Sequence, residues 1–231
     1  MNKNLPKVLF FGRENCKSSS TILKKLNDKK FQVTYFESKK RGERLKNDIL
    51  DWNGEFILCF RSFIKLPISL IKKAKIAAIN FHPAPPEYPG SGCINFALYD
   101  NAKTYGVTAH LMNEQIDNGI ILDVKKFPIN LNDNVQSLLE RTHKELLEMC
   151  LNFIEGISLN PEKFLNEKKL YSKDYKWNGE ARKINDLEKL KKISLPISRD
   201  DLEKIIRATY INNYPPYIEL YGYKFYLHIK K

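Results

Sequence analysis

The chain has 231 residues, 42% of them hydrophobic and 12% aromatic, enough for one large folded domain or one domain with a small appendage. No apolar run reaches the roughly eighteen residues of a membrane span, and the N-terminus runs into a strand-like segment without the apolar stretch of a leader, so a cytoplasmic protein with no membrane partner is expected. The net charge of +12 permits nucleic-acid binding, but the lysines fall in short pairs (Lys24-Lys25, Lys72-Lys73, Lys125-Lys126, Lys191-Lys192) without a basic arm, which suits a small polyanion such as a nucleotide equally well.

Taken in order, residues 7–11 (KVLFF) read as a buried strand, 18–28 as an amphipathic helix, 32–36 as a second strand and 44–50 as a helix. Residues 55–60 (EFILCF) form a third strand, 67–74 a short helix with Pro67 at its first position, and 76–81 a fourth strand. This alternation predicts an α/β fold with a Rossmann-like, mostly parallel sheet. A proline loop (Pro83, Pro85, Pro86, Pro89) and a helix over 93–99 follow. Residues 107–112 and 120–125 then alternate with a period of two around a loop ending Asp117-Asn118-Gly119, which predicts an antiparallel addition. Asp133, with Gln136 three residues on, reads as the cap of a long helix ending near Gly156. A domain edge is expected near residue 160. It divides a catalytic domain over 1–160 from a small C-terminal extension over 161–231. That extension holds a polar, Lys-rich segment, a helix from Asp200 or Asp201, and a β-hairpin around Gly222.

The chemistry concentrates at the end of the fourth strand. Asn80 and His82 are two apart and so project to the same side. A neutral amide suits a developing oxyanion and an imidazole suits proton transfer near neutral pH. Asp117, 35 residues on, is the carboxylate to orient the imidazole, although Asn-x-His is also an ordinary polar strand end and Asp-Asn-Gly an ordinary turn. No GxSxG elbow is present, which favours direct transfer between two substrates over a covalent intermediate. The first loop, GRENCKSS, lacks GxGxxG. Its Arg13 and hydroxyl residues suit either an anion or simple helix capping. Cys16, Cys59, Cys93 and Cys150 have no metal spacing and read as buried thiols in a reducing compartment. His110 sits at an alternate strand position and reads as packing, and His143 and His228 as surface or structural.

Asn80-Phe81-His82-Pro83 with the proline turn, together with Gly106-Val-Thr-Ala-His110-Leu-Met112 and Ile116-Asp117-Asn118-Gly119, closely resembles the formyltransferase family that uses N10-formyltetrahydrofolate. The resemblance makes Asn80, His82 and Asp117 the catalytic set. It implies that a substrate amine attacks the formyl carbon of the folate, with no metal. It places the folate beside Asn80, along Phe60, Arg61, Phe63, Gly119 and Ile120. Among the branches of that family, NFHPAPPEYPGSGCINFALYD and YKWNGEARKI look most similar to nucleotide-sugar N-formyltransferases of surface polysaccharide (O-antigen) synthesis. That implies a dTDP-linked amino sugar, a 4-amino-4,6-dideoxyglucose in particular, and a homodimer assembled through the hairpin. Arg13, Arg182 and Lys183 suit the diphosphate, and Tyr175 and Trp177 suit a stacked base or, alternatively, loop anchoring. Methionyl-tRNA and glycinamide ribonucleotide formyltransferases are the alternatives. The tRNA branch usually reads Ser-Leu-Leu-Pro where this chain has Ala84-Pro85-Pro86-Glu87, and only about seventy residues follow position 160. A basic RNA-binding module is the non-enzyme alternative.

Overall fold

In the computed structural model of the protein, residues 5–229 are described. The chain begins β1 (Lys7–Arg13), α1 (Lys17–Asp28), β2 (Gln32–Ser38), α2 (Asn47–Leu50), β3 (Gly54–Phe60), α3 (Ile68–Ile71) and β4 (Ala74–His82). It continues α4 (Cys93–Tyr99), β5 (Thr104–Leu111), β6 (Ile121–Pro128) and α5 (Val135–Leu159). The last elements are α6 (Pro161–Tyr171), α7 (Ile184–Lys191), β7 (Lys192–Ile193), α8 (Arg199–Thr209), β8 (Tyr217–Leu220) and β9 (Tyr223–Tyr226).

Six strands form one sheet in the order β2-β1-β3-β4-β5-β6. The first four are parallel, and β5 and β6 join antiparallel. The expected mixed sheet is therefore present. Its apolar strands are explained by burial on both faces. Along β1, Val8 and Phe10 enter one core layer beneath α1 and α5, while Leu9 and Phe11 enter the other with Ile49 of α2 and Leu70 of α3. A third apolar cluster joins α4, Tyr105, the start of α5 and Ala208 of α8.

Several boundaries differ from the sequence reading. The expected helix over 44–50 keeps only its last turn, because Lys46 is extended. The helix expected over 67–74 is the single turn α3. Pro67 is its extended cap, not its first helical residue, and Ala74 already belongs to β4. Asn134 caps α5 in place of Asp133. Its side chain accepts the Ser137 N–H, and Ser137 Oγ accepts the Asn134 N–H in return. Gln136 instead bonds Glu140, and Asp133 pairs with Arg141. Ser198 caps α8, whose first residue, Arg199, lies one position ahead of Asp200.

At the edge expected near 160, Asn160 ends α5 and caps α6 through the Lys163 N–H. Packing continues across this junction: Leu165 of α6 lies in the main core beside Phe153. The terminal hairpin forms around Tyr221 and Gly222, both with positive φ (51° and 85°), as a tight two-residue turn requires. The short strand β7 adds parallel to β8 and makes a three-stranded sheet.

Phe153 couples the main sheet to the helices. It is 1% exposed and meets Phe81 edge-on at 5.5 Å and Phe164 at 5.1 Å. We predict that Phe153→Ala lowers unfolding stability by about 3–5 kcal/mol, the usual cost of an aromatic-sized cavity. The shift of the denaturant midpoint measures it.

Candidate active site

The carboxyl ends of β1, β3 and β4 lie along one edge of the sheet. Phe60 pairs with Phe81, so Arg61 leaves β3 at the level where His82 ends β4. Ligands in open α/β sheets bind along such an edge.

Asn80 and His82 project together from β4, as their spacing requires. The next strand supplies a third side chain. Asn80 pairs with His110 in the antiparallel register, and residues directly opposite share a face. His110 Nδ1 donates to the Leu111 carbonyl at 2.9 Å. Its Nε2 lies 3.0 Å from Asn80 Nδ2. His110 is therefore part of the cluster, which corrects its reading as packing.

Asp117 reaches this cluster from the β5–β6 loop with φ at 46°, a left-handed conformation that few non-glycine residues adopt. Its carboxylate is buried and held on several sides. Gly90 N–H donates to Oδ2 at 2.9 Å, and His82 Nδ1 lies 3.3 Å from the same oxygen. Asn80 Nδ2 and His110 Nε2 each lie 3.4 Å from Oδ1. Burial alone would push the carboxyl up, but His82, His110 and Gly90 pull it down to about 2. Burial holds His82 below its ordinary pKa, opposed by Asp117 and by the Tyr88 carbonyl 3.1 Å from Nε2. The centre thus pairs a fixed carboxylate with an imidazole that burial biases toward neutrality.

Two loops close around these groups. Trp177 lies edge-on to His110 at 5.0 Å and His82 at 5.8 Å, and its indole N–H donates to the Gly119 carbonyl at 2.7 Å. Asn178 N–H donates to the Pro86 carbonyl, Arg182 N–H to that of Pro89, and Ser91 N–H to that of Arg182. The segment after α6 therefore runs along the proline loop and seals the cluster. Beside the Trp177 seal lies a cleft of ≈ 420 Å³, walled by Ile120, Tyr175 and Trp177 and fringed by Lys169, Lys173 and Lys176.

A second group sits where the chain order reverses, between β1 and β3. Arg13 stacks on Phe63 at 4.1 Å, and Arg61, with φ at 54°, directs Nη1 toward Cys16 Sγ at 3.5 Å. Neither guanidinium is ion-paired among the described residues. Burial, together with Arg61 and Arg13, pushes the nearby His143 down to about 4. Two guanidinium groups therefore stand together at the sheet's topological switch point, the region where ligands bind in such sheets.

Residues 7–153 match the family profile described as formyl transferase. The chain belongs to the formyl transferase family. Among curated relatives, the methionyl-tRNA formyltransferase of Pediococcus pentosaceus is 28% identical over 179 residues, covering 75% of this chain and 55% of the relative. That of Listeria welshimeri is 31% identical over 161 residues, covering 63% and 51%. The chain thus spans about half the length of these relatives. A sugar N-formyltransferase structure from a Shewanella species matches with a TM-score of 0.72 and 22% identity, covering 98% of both chains. A 4-N formyltransferase from Francisella tularensis matches at 0.71 and 19%, covering 97% of both. An N-formyltransferase from Helicobacter canadensis, in complex with folinic acid and dTDP-3-aminofucose, matches at 0.66 and 17%, covering 96% of this chain and 86% of that one. These structures share the fold across the region after residue 160 as well.

At the end of β4, Asn80, His82 and Asp117 converge. Tyr175, Trp177, Gly119 and Ile120 share the cleft, and Arg13 and Phe63 stack together. Other expectations are corrected. Phe60 is wholly buried in the core, so its side chain reaches no ligand. Arg61 lies near Arg13 and Cys16. Arg182 stacks over Phe96 and Tyr88, and Lys183 sets the first turn of α7 through Asp186, so neither lines the cleft.

The proline loop needs glycine at position 90. Its φ is 90°, and a Cβ there would meet Arg182 N and O at 2.4 Å. Gly179, with φ at 81°, has open space around it. We predict that Gly179→Ala costs about 1–2 kcal/mol from backbone strain alone, whereas Gly90→Ala lowers the melting temperature further and detaches the 177–183 segment. Thermal unfolding and proteolysis of that segment distinguish the two.

Proposed function

We propose that this protein transfers the formyl group of N10-formyltetrahydrofolate to the amino group of a dTDP-linked amino sugar, a 4-amino-4,6-dideoxy sugar in particular, for surface polysaccharide synthesis. The observation that carries the reading is the buried Asn80–His82–Asp117 cluster with an anion site one strand away on the same sheet edge. A nucleotide sugar needs that combination: a reaction point for the amine and cations for the diphosphate. Arg13 and Arg61 present guanidinium forks suited to phosphate oxygens, and neutral His143 adds a hydrogen-bonding group. Similarity along whole chains to sugar N-formyltransferase structures supports this substrate class over tRNA.

The folate fits beside Asn80. Ile116 and Ile120 expose 50% and 60% of their surface on the loop that carries Asp117. Apolar side chains flanking a polar cluster suit an aromatic ring system. When bound, the folate supplies the activated formyl carbon.

The residues divide the work. Asp117 stays ionised and attracts the substrate amine in its ammonium form. His82, kept toward neutrality by burial and with its Nε2–H donated to the Tyr88 carbonyl, accepts at Nδ1 the proton that frees the ammonium for attack. The second proton leaves that nitrogen as the tetrahedral intermediate collapses and passes to N10 of the departing tetrahydrofolate, whose bond to the formyl carbon breaks. The Asn80 amide stabilises the oxyanion of the tetrahedral intermediate. Its amide hydrogens already face His110 and Asp117. The longer contact, to Asp117 at 3.4 Å, is the one to exchange for the oxyanion. His110, whose Nε2 lies 3.0 Å from the amide nitrogen, keeps the amide aimed.

Incubation with N10-formyltetrahydrofolate and a panel of dTDP-amino sugars, read by mass spectrometry, should show one formyl group added. Asn80→Ala and His82→Ala should each reduce kcat by about 10²-fold or more, while Arg13→Met should mainly raise KM for the nucleotide sugar. Formylation of methionyl-tRNA but of no sugar would overturn the substrate assignment.

The pH profile supplies a second prediction. His82 must be neutral to accept a proton, and burial lowers its pKa from 6.5. As pH falls, kcat/KM should hold through 6.5 and drop only below it, with one proton taken up. Asp117, held down to about 2, should not contribute to that limb. An acidic limb centred above the ordinary histidine value would refute His82 as a buried neutral base.

A further inference from the structure

The C-terminal unit holds a second concave site, remote from the groups used above. A cavity of ≈ 260 Å³ opens between the end of α7 and the β8–β9 hairpin, with Glu188, Lys191, Asn213, Tyr214, Lys224 and Tyr226 on its walls. Lys191 is 1% exposed. Its ammonium lies against the Tyr214 ring and has no hydrogen-bonding or carboxylate partner among the described residues. Lys224, from β9, sits over the Tyr217 ring at 4.5 Å. Glu188 Oε1 is buried and also lacks a partner. Leaving a buried carboxylate oxygen unbonded is unfavourable, and Glu188 borders the same cavity as the two lysines.

We propose that this cavity binds a phosphorylated monosaccharide, its phosphoryl group between Lys191 and Lys224 and a sugar hydroxyl donating to Glu188. Two ammonium groups balance a phosphoryl dianion as point charges. The unpaired carboxylate oxygen calls for a hydroxyl donor, which inorganic phosphate as a dianion supplies poorly. The tyrosine rings offer flat apolar surface to the C–H face of a sugar. The volume falls below the ≈ 300 Å³ at which drug-sized sites begin, which limits the occupant to about one ring.

Calorimetric titration of the full chain with glucose 1-phosphate, inorganic phosphate and glucose tests this. Glucose 1-phosphate should bind saturably and about tenfold or more tighter than either of the others. Lys191→Met and Lys224→Met should each weaken it about tenfold or more, the scale of a lost charged hydrogen bond. Lys224 is exposed, so its replacement does not threaten folding, and it lies outside the catalytic cluster, so formyl transfer should persist. Burial holds Lys191 down to about 8, with Glu188 opposing and Lys224 reinforcing the shift, and Tyr214, Tyr217 and Tyr226 as the other titratable neighbours. Affinity should therefore fall as pH rises through about 8 and the ammonium is lost. Absence of saturable binding, equal binding of inorganic phosphate, or unchanged affinity in both variants overturns the proposal.

Discussion

The Asp117 carboxylate is the constraint on which the site depends. It is 7% exposed, and a charge so placed persists only when nearby groups replace water. Those groups come from separate parts of the chain: Asn80 and His82 from β4, His110 from β5, and the Gly90 N–H from the proline loop. Each is ordered by meeting the same two oxygens. Loss of one leaves the charge under-compensated, so the cluster behaves as a unit whose members do not contribute additively.

That dependence extends outward through backbone contacts. Gly90 donates to Asp117 and at the same time packs against the backbone of Arg182. Gly119, two residues after Asp117, accepts from Trp177, and a Cβ there would overlap the Leu111 carbonyl. Both glycines permit a close approach of backbones that any side chain would block. The segment after α6 is therefore part of the active-site wall, and the site is completed by residues beyond the matched family region.

Most of the sheet was legible in the sequence because both-face burial produces continuous apolar strands, as in KVLFF and EFILCF. Asn80 and His82 were legible for an equally local reason, since a spacing of two fixes a shared face. Asp117 needed the resemblance, because no local rule brings a loop carboxylate 35 residues back to a strand end. His110 was missed because its meaning lies in strand register: only the pairing of Asn80 with His110 places the ring beside the amide. Phe60 and Arg61 show the same limit at a strand end, where one residue decides between core and edge. Arg182 looked like a phosphate ligand by its chemistry alone, yet its backbone is bound to the proline loop and its guanidinium to aromatic rings. The cap of α5 moved from Asp133 to Asn134 because Arg141 and the Asn130 N–H occupy the aspartate.

The charge distribution separates reaction from recognition. The chain carries +12, but the Asn80–His82–Asp117 cluster holds one fixed negative charge and a His82 imidazole that burial keeps toward neutrality. Positive charge stands instead at the switch point and along the fringe of the cleft beside Trp177. For an amine carried on a diphosphate, this polarity is directional. The phosphates are drawn to the guanidinium groups and repelled by Asp117, while the ammonium is drawn to Asp117. Both attractions orient the ligand the same way, and a ligand bound in reverse would meet like charge at both ends. On the proposed reading, orientation therefore precedes deprotonation, and the proton leaves only where His82 can receive it.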